Sequence, residues 1–100
     1  MIYFTQLVYI KEGQEQVFDE FEAIAIPAIS KYNGQLLLRV RPPENSFVEC
    51  NIDKPYEIHF GQFDSQQDFE NFAQDNERKK FLHLKERSVK SSLLIVGKKL

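Results

Sequence analysis

The residue of this chain best suited to chemistry near neutral pH is His59, an imidazole in the middle of the apolar stretch 56–63. There it can serve as acid, base or ligand. Alternation along an extended segment puts it on one side with Glu57, Gly61 and Phe63, opposite Tyr56, Ile58 and Phe60. The blander role is a histidine hydrogen-bonded within the sheet, or at a subunit contact if the Glu57 side meets a second copy. Gln6 is the second candidate. It shares a strand face with Phe4 and Val8, and an unpaired buried amide costs about 1–3 kcal/mol in proteins, so something polar must reach it.

Arg39 and Arg41 lie two apart and project from one side of their segment together with Leu37. Two guanidinium groups so placed can clamp a ligand carboxylate, or pair with acids of the chain, of which Glu57 is the first to consider. Tyr3, Tyr9, Tyr32 and Tyr56 each offer a hydroxyl, and Tyr3 and Tyr32 are the two taken as possible ligand contacts; buried tyrosines more commonly find one partner and pack. His83 sits in a basic stretch and is expected to be exposed. Phe18, Phe21, Phe60, Phe69, Phe72 and Phe81 fall at the spacing their elements would bury and read as core. Cys50 is alone, so no internal disulfide forms, and it reads as an inert thiol in or beside a loop. No Cys/His cluster has zinc spacing, and no Gly-rich phosphate loop, HExxH or Ser/His/Asp pattern occurs. Neither a metal nor a cofactor is therefore expected, and a conventional hydrolase or nucleotide enzyme is disfavoured.

These side chains need elements to hold them. Ile2–Ile10 is rich in β-branched and aromatic residues, as a central strand covered on both faces would be. From Gln14, Val17, Phe18, Phe21, Ala25, Ala28, Ile29 and Tyr32 recur at three- and four-residue intervals, predicting an amphipathic helix with Asp19, Glu20 and Glu22 mostly on its outer face. Pro27 removes a donor and crowds the carbonyl of Ala23, which predicts a kink or a restart. Asn33-Gly34 supplies a left-handed stop. Residues 35–41 form the second strand, with Leu36, Leu38 and Val40 on one face, and Pro42-Pro43 ends it.

Residues 44–54 have no clean period and read as a loop or short edge hairpin. Strand three covers 56–63. Ser65 with Asp68 resembles a weakened capping box opening a helix through Phe69, Phe72 and Ala73, and helical character resumes around Glu77. Residues 91–98 make the last strand. The order βαββαβ with right-handed crossovers predicts an α+β, ferredoxin-like fold: one domain, a four-stranded antiparallel sheet, helices on one face. A sheet apolar on both sides cannot leave one in water, so a second copy is expected to cover it as a homodimer.

Composition agrees with a single globular domain: 100 residues, 42% hydrophobic and 28% charged. The formal net charge of -2 recruits neither nucleic acid nor anionic lipid. Charge is uneven, however: residues 78–100 hold eight of the thirteen bases and one of the fifteen acids. The run Arg78, Lys79, Lys80, Lys85, Arg87, Lys90 reads chiefly as a solvated helix face, otherwise as a contact for complementary charge or an anionic ligand. No signal-like leader precedes Ile2 and no apolar run is long enough to span a membrane, so a cytoplasmic location is expected.

Three stretches carry a family likeness: Ala25-Ile26-Pro27-Ala28-Ile29 with Tyr32-Asn33-Gly34; Ile58-His59-Phe60 with Phe63-Asp64-Ser65; and Arg87-Ser88 before Leu94-Ile95-Val96-Gly97. With the element order, they make the chain resemble the dimeric α+β barrel superfamily, and within it most closely the family DUF 1330. The resemblance implies a homodimer with a pocket between each sheet and its helices. Related families include cofactor-independent monooxygenases of polyketides, haem-degrading enzymes and ligand-sensing regulatory domains. Three functions follow as expectations: binding of a small, mostly apolar molecule, a cofactor-independent monooxygenase-like activity, or a structural or regulatory dimerisation module without catalysis. A filled space between sheet and helices would favour the last.

Overall fold

The computed structural model describes all 100 residues, Met1–Leu100. Four strands, β1 (Ile2–Ile10), β2 (Gly34–Val40), β3 (Glu57–Phe63) and β4 (Val89–Gly97), pair antiparallel in the order β2-β3-β1-β4. Helix α1 (Glu15–Lys31) joins β1 to β2, and α2 (Gln66–Ala73), α3 (Asn76–Lys80) and α4 (Leu82–Ser88) follow β3. The result is the ferredoxin-like arrangement, a slab 36 × 36 × 16 Å with its helices on one side of the sheet.

Helix α1 does not restart at Pro27 but runs unbroken to Lys31. Both Pro27 and Ala23 face solvent, so the carbonyl that loses its partner is hydrated, while Ala25, Ala28 and Ile29 hold the turn against the core. Asn33 takes the left-handed conformation at φ 58° and stops the helix. Gly34 serves a different need, because a Cβ there would lie 2.6 Å from the Phe63 ring and 2.7 Å from Ile29. The second helical region is three short pieces. Ser65 caps α2 by accepting from the Asp68 N–H at 3.1 Å, and Asp75 caps α3 by accepting from the Arg78 N–H at 2.7 Å. The segment after Pro43 is a loop with one 3₁₀ turn, Glu44–Ser46.

One irregularity decides which side chains face inward. Leu36 pairs with Gly61 while Leu38 pairs with Phe60, leaving Leu37 as an extra residue, a β-bulge. Leu36 therefore faces the helices, and Leu38 and Val40 face away, so the expected sharing of one face by all three does not hold. Beyond the bulge Arg39 lies opposite His59 on the helix side.

Two apolar clusters lie between sheet and helices. Phe4, Ile29 and Phe63 gather Ile2, Tyr32, Leu36, Phe69 and Phe72, whereas Phe21, Ala25 and Leu84 gather Val17, Ile24, Phe81 and Leu82. Only Gly61 lets the Phe4 ring lie across β3: a Cβ there would stand 2.6 Å from Phe4 Cε1 and 2.9 Å from the Gln35 carbonyl oxygen. Gly61→Ala is expected to lose about 1–3 kcal/mol, the usual cost of overpacking, despite alanine's lower chain entropy. A urea midpoint equal to wild type would show that Phe4 can yield.

The opposite sheet face is uncovered and apolar. Leu7 of β1, Ile58 and Phe60 of β3, Leu38 and Val40 of β2, and Leu93 and Ile95 of β4 all point to it, with Leu38, Leu93 and Ile95 51%, 50% and 54% exposed. Tyr3 stacks on Phe60 there at 5.8 Å between ring centroids.

Candidate functional site

Polar side chains from both the sheet and the helices meet on the helix side of the sheet. Strand β3 puts Glu57 and His59 there, two residues apart, and both are buried. Glu57 is 0% exposed. Its carboxylate takes Arg39 Nε at 3.0 Å, Arg41 Nε at 2.7 Å and the His59 Nε2. Burial pushes the Glu57 carboxyl up, but hydrogen bonds from His59, Arg39 and Arg41 outweigh it and hold it at about 2. Arg41 continues to Asp19 on α1 at 2.5 Å and lies 5.0 Å over the Tyr56 ring, and its pairing with Glu57 raises its proton affinity further. The bulge at Leu37 is what brings both arginines to this side.

A carboxylate can only accept, so the His59 nitrogen facing Glu57, Nε2, carries a proton. Across the strand pair Gln6 lies directly opposite His59. Its amide makes no hydrogen bond within the chain, and both residues line a cavity of about 230 Å³ between sheet and helices. Phe4, Phe63, Phe69 and Phe72 form one end of this cavity, and Phe18, Phe21 and Ala25 contribute from other sides. Its remaining polar wall is Glu22 from α1, Arg78 from α3, Lys85 from α4 and Ser92 from β4.

Glu22 was expected on the outer face of α1 and instead points inward, 7% exposed. It follows Phe18 by four residues and precedes Ala25 by three, so its position is on the buried stripe although its chemistry is not. Its Oε2 is 3.7 Å from His59 Nε2 and makes no hydrogen bond. Burial raises the Glu22 carboxyl; the charge of His59 opposes this and that of Glu57 adds to it. A carboxyl held up in the folded state contributes its full stability below the ordinary carboxylate range and loses it as pH rises through its folded value. Glu22→Gln is therefore expected to stabilise the protein at pH 7 by about 0.5–2 kcal/mol, in line with relief of other functional-site compromises. The gain should shrink toward pH 4. Urea unfolding at the two pH values checks this, and a destabilised variant at pH 7 would mean that Glu22 has a partner worth more than its desolvation.

The side-chain ligand atoms of Glu22, Glu57 and His59 lie within 4.8 Å of one another, a juxtaposition of α1 and β3 that no spacing in the sequence announces. A cation there would compete with Arg39 and Arg41, which already neutralise Glu57, so the cluster favours a proton over a metal ion.

The other singled-out residues lie elsewhere. Arg39 and Arg41 grip the chain's own Glu57. Tyr3 is on the uncovered sheet face. Tyr32 donates its hydroxyl to Asp75 at 2.8 Å and meets Phe72 edge-on, which ties α1 to the cap of α3. Cys50 lies in the loop, its Sγ 3.1 Å from the Ile52 carbonyl oxygen, and His83 is exposed. Arg78 and Lys85 are not the wholly solvated face that their run implied, because both are half-buried in the cavity wall. Lys85 falls four residues after Phe81 and one after Leu84, which is the signal that places it near the core boundary.

No family model and no curated protein matches the chain. Solved structures do. A protein of unknown function from Rhodopseudomonas palustris, RPA0582, superposes with a TM-score of 0.82 at 13% identity over 99% of this chain and 82% of its own. A putative antibiotic biosynthesis monooxygenase from Nitrosomonas europaea gives 0.74 at 9% identity, covering 100% and 99% of the two chains. A dimeric protein of unknown function and ferredoxin-like fold from Bacteroides fragilis gives 0.71 at 11% identity over 98% and 95%. At these identities the likeness is one of fold, and the fold that this chain shares with them is ferredoxin-like.

Proposed function

We propose that this chain is a homodimeric α+β barrel protein that binds a small, mostly apolar molecule between its sheet and helices. The observation that carries this reading is the cavity itself, whose largely apolar wall carries a few polar groups, among them Gln6, Glu22 and His59. A mostly apolar pocket with a few converging polar groups is the usual form of a small-molecule site. An open cavity also supports binding over a bare dimerisation module. The dimer rests on the uncovered apolar face, which a second copy of the same face covers with two-fold symmetry. Kinship with DUF 1330 is carried by the three short stretches of sequence alone. In the fold, Asn33, Gly34 and Ser65 of those stretches serve as helix stops and caps.

The Glu57–His59 pair favours a second reading, a cofactor-independent monooxygenase-like enzyme. His59, oriented by Glu57, would take a proton from an electron-rich substrate beside Gln6, and the resulting anion would react with dioxygen. Conversion of a methylene to a carbonyl balances this chemistry, with one oxygen atom entering the product and the other leaving as water.

Native mass spectrometry of freshly purified protein tests the first reading. A peak at twice 11.8 kDa with additional bound mass is expected. A monomer would remove the barrel. A bare dimer that also takes up no added apolar molecule would remove the ligand.

A further inference from the structure

Resting on the ligand-binding reading above, the charge balance of the cavity wall names the ligand's class. Glu22 is the only acid lining the cavity, and Arg78 and Lys85 are its two cations. Neither cation has an ion-pair partner within 4.0 Å. The Arg78 guanidinium makes one hydrogen bond, from Nη1 to the Ala73 carbonyl at 3.3 Å, and lies 5.2 Å from the centre of the Phe72 ring. The Lys85 ammonium makes no hydrogen bond within the chain. Burial lowers the proton affinity of both, and the charge of Arg78 lowers that of Lys85 further. Two cations without ion-pair partners against a single acid leave the wall short of negative charge.

We propose that the cavity takes a small monocarboxylic acid whose carboxylate sits between Arg78 and Lys85. Arg78 provides the planar fork that matches a carboxylate, and Lys85 a point charge. Glu22, the one acid of the wall, is more than nine-tenths buried and already lies 3.7 Å from His59 Nε2, so it does not occupy the two cations. The apolar body then lies toward Phe4, Phe63 and Phe69. The cavity of about 230 Å³ has room for several water-sized groups, the scale of a small straight-chain or monocyclic acid.

Octanoate, 1-octanol and octylamine share one apolar chain and differ in head group, so calorimetric titration of the intact protein with each isolates the head. Octanoate is expected to bind at least about 10-fold more tightly than octanol, with octylamine weakest. In Arg78→Gln/Lys85→Gln the preference for octanoate over octanol should vanish. Equal affinity for octanoate and octanol, a preference for octylamine, or a carboxylate preference that survives in the double variant would each overturn the carboxylate site and leave ligand binding standing. If none of the three binds, the ligand-binding reading itself falls. A double variant that melts early is replaced by Lys85→Gln alone, for which a loss of about half the preference on a logarithmic scale is expected and an unchanged preference overturns the site.

Discussion

Arg39→Leu/Arg41→Leu is expected to destabilise the fold by about 3–5 kcal/mol, because it leaves the Glu57 carboxylate fully buried without a cation. The arginines themselves are partly exposed, so the cost comes from the acid stranded beneath them and not from loss of the surface pairing. Adding Glu57→Leu to the double variant should recover most of the loss, since a buried ion cluster exchanged for apolar residues of similar volume is often neutral or better. The pH dependence gives an independent reading. In the wild type, Glu57 is held at about 2 against an ordinary value of 4.5, so its contribution is present above 4.5 and disappears as pH falls toward 2. Without the arginines, burial dominates and raises the carboxyl, so the sign reverses and stability falls as pH rises through the carboxylate range. The gap between wild type and double variant should therefore narrow in acid. Parallel denaturant curves at pH 7 and pH 3.5 check both statements; an equal gap at the two would mean that Glu57 is not the charge left behind.

The second large effect is expected at the uncovered sheet face. Ile95→Asp puts a charge into the apolar patch, on its β4 side, without touching the helix-side core, and two-fold pairing would bring both copies of that charge into one interface. Dimer dissociation should increase by about 100-fold or more, the size of losing an interface hot spot worth about 2–4 kcal/mol. Light scattering on a size-exclusion column should then show a folded species of 11.8 kDa at concentrations where the wild type runs at twice that mass. Phe4→Asp is the matched control. Phe4 is buried on the helix side of the neighbouring strand, and a charge there should abolish folding and not merely assembly. An Ile95→Asp protein that keeps the wild-type mass would show that this face does not pair.

Element order and most of the apolar core were legible because they follow period and punctuation; Phe60, read as core, instead lies on the uncovered sheet face beside Tyr3. Val17, Phe18, Phe21, Ala25, Ala28 and Ile29 declare a helix by spacing, Asn33 and Ser65 declare its neighbours' limits, and the crossover rule orders the strands. The arrangement of the site was legible only in part. Gln6 and His59 could be singled out as polar residues in apolar strands, and Glu57 as a partner for the arginines, because a mismatch between residue and pattern is itself visible. Glu22 was hidden, since glutamate on a helix reads as surface even where its position lies on the buried stripe. Arg78 and Lys85 were hidden by their neighbours, because a run of cations reads as one solvated face regardless of which members turn inward. The bulge at Leu37 left no mark at all: Leu36, Leu37 and Leu38 are alike, so only pairing with β3 decides which of them is the extra residue.

Strand β4 has a consequence for the lifetime of the chain before it finds its partner. It is an edge strand of nine residues, exposed along its length, and its centre Ser91-Ser92-Leu93-Leu94-Ile95-Val96 has no charge and no proline. Such a segment is a template for stacking identical chains into fibrils. Lys90 on one side and Lys98 with Lys99 on the other act as gatekeepers, since in-register stacking would pile their charges on one another. Fibrillation of an uncovered chain is thus opposed by these three lysines, and replacing them with neutral residues is expected to promote aggregation.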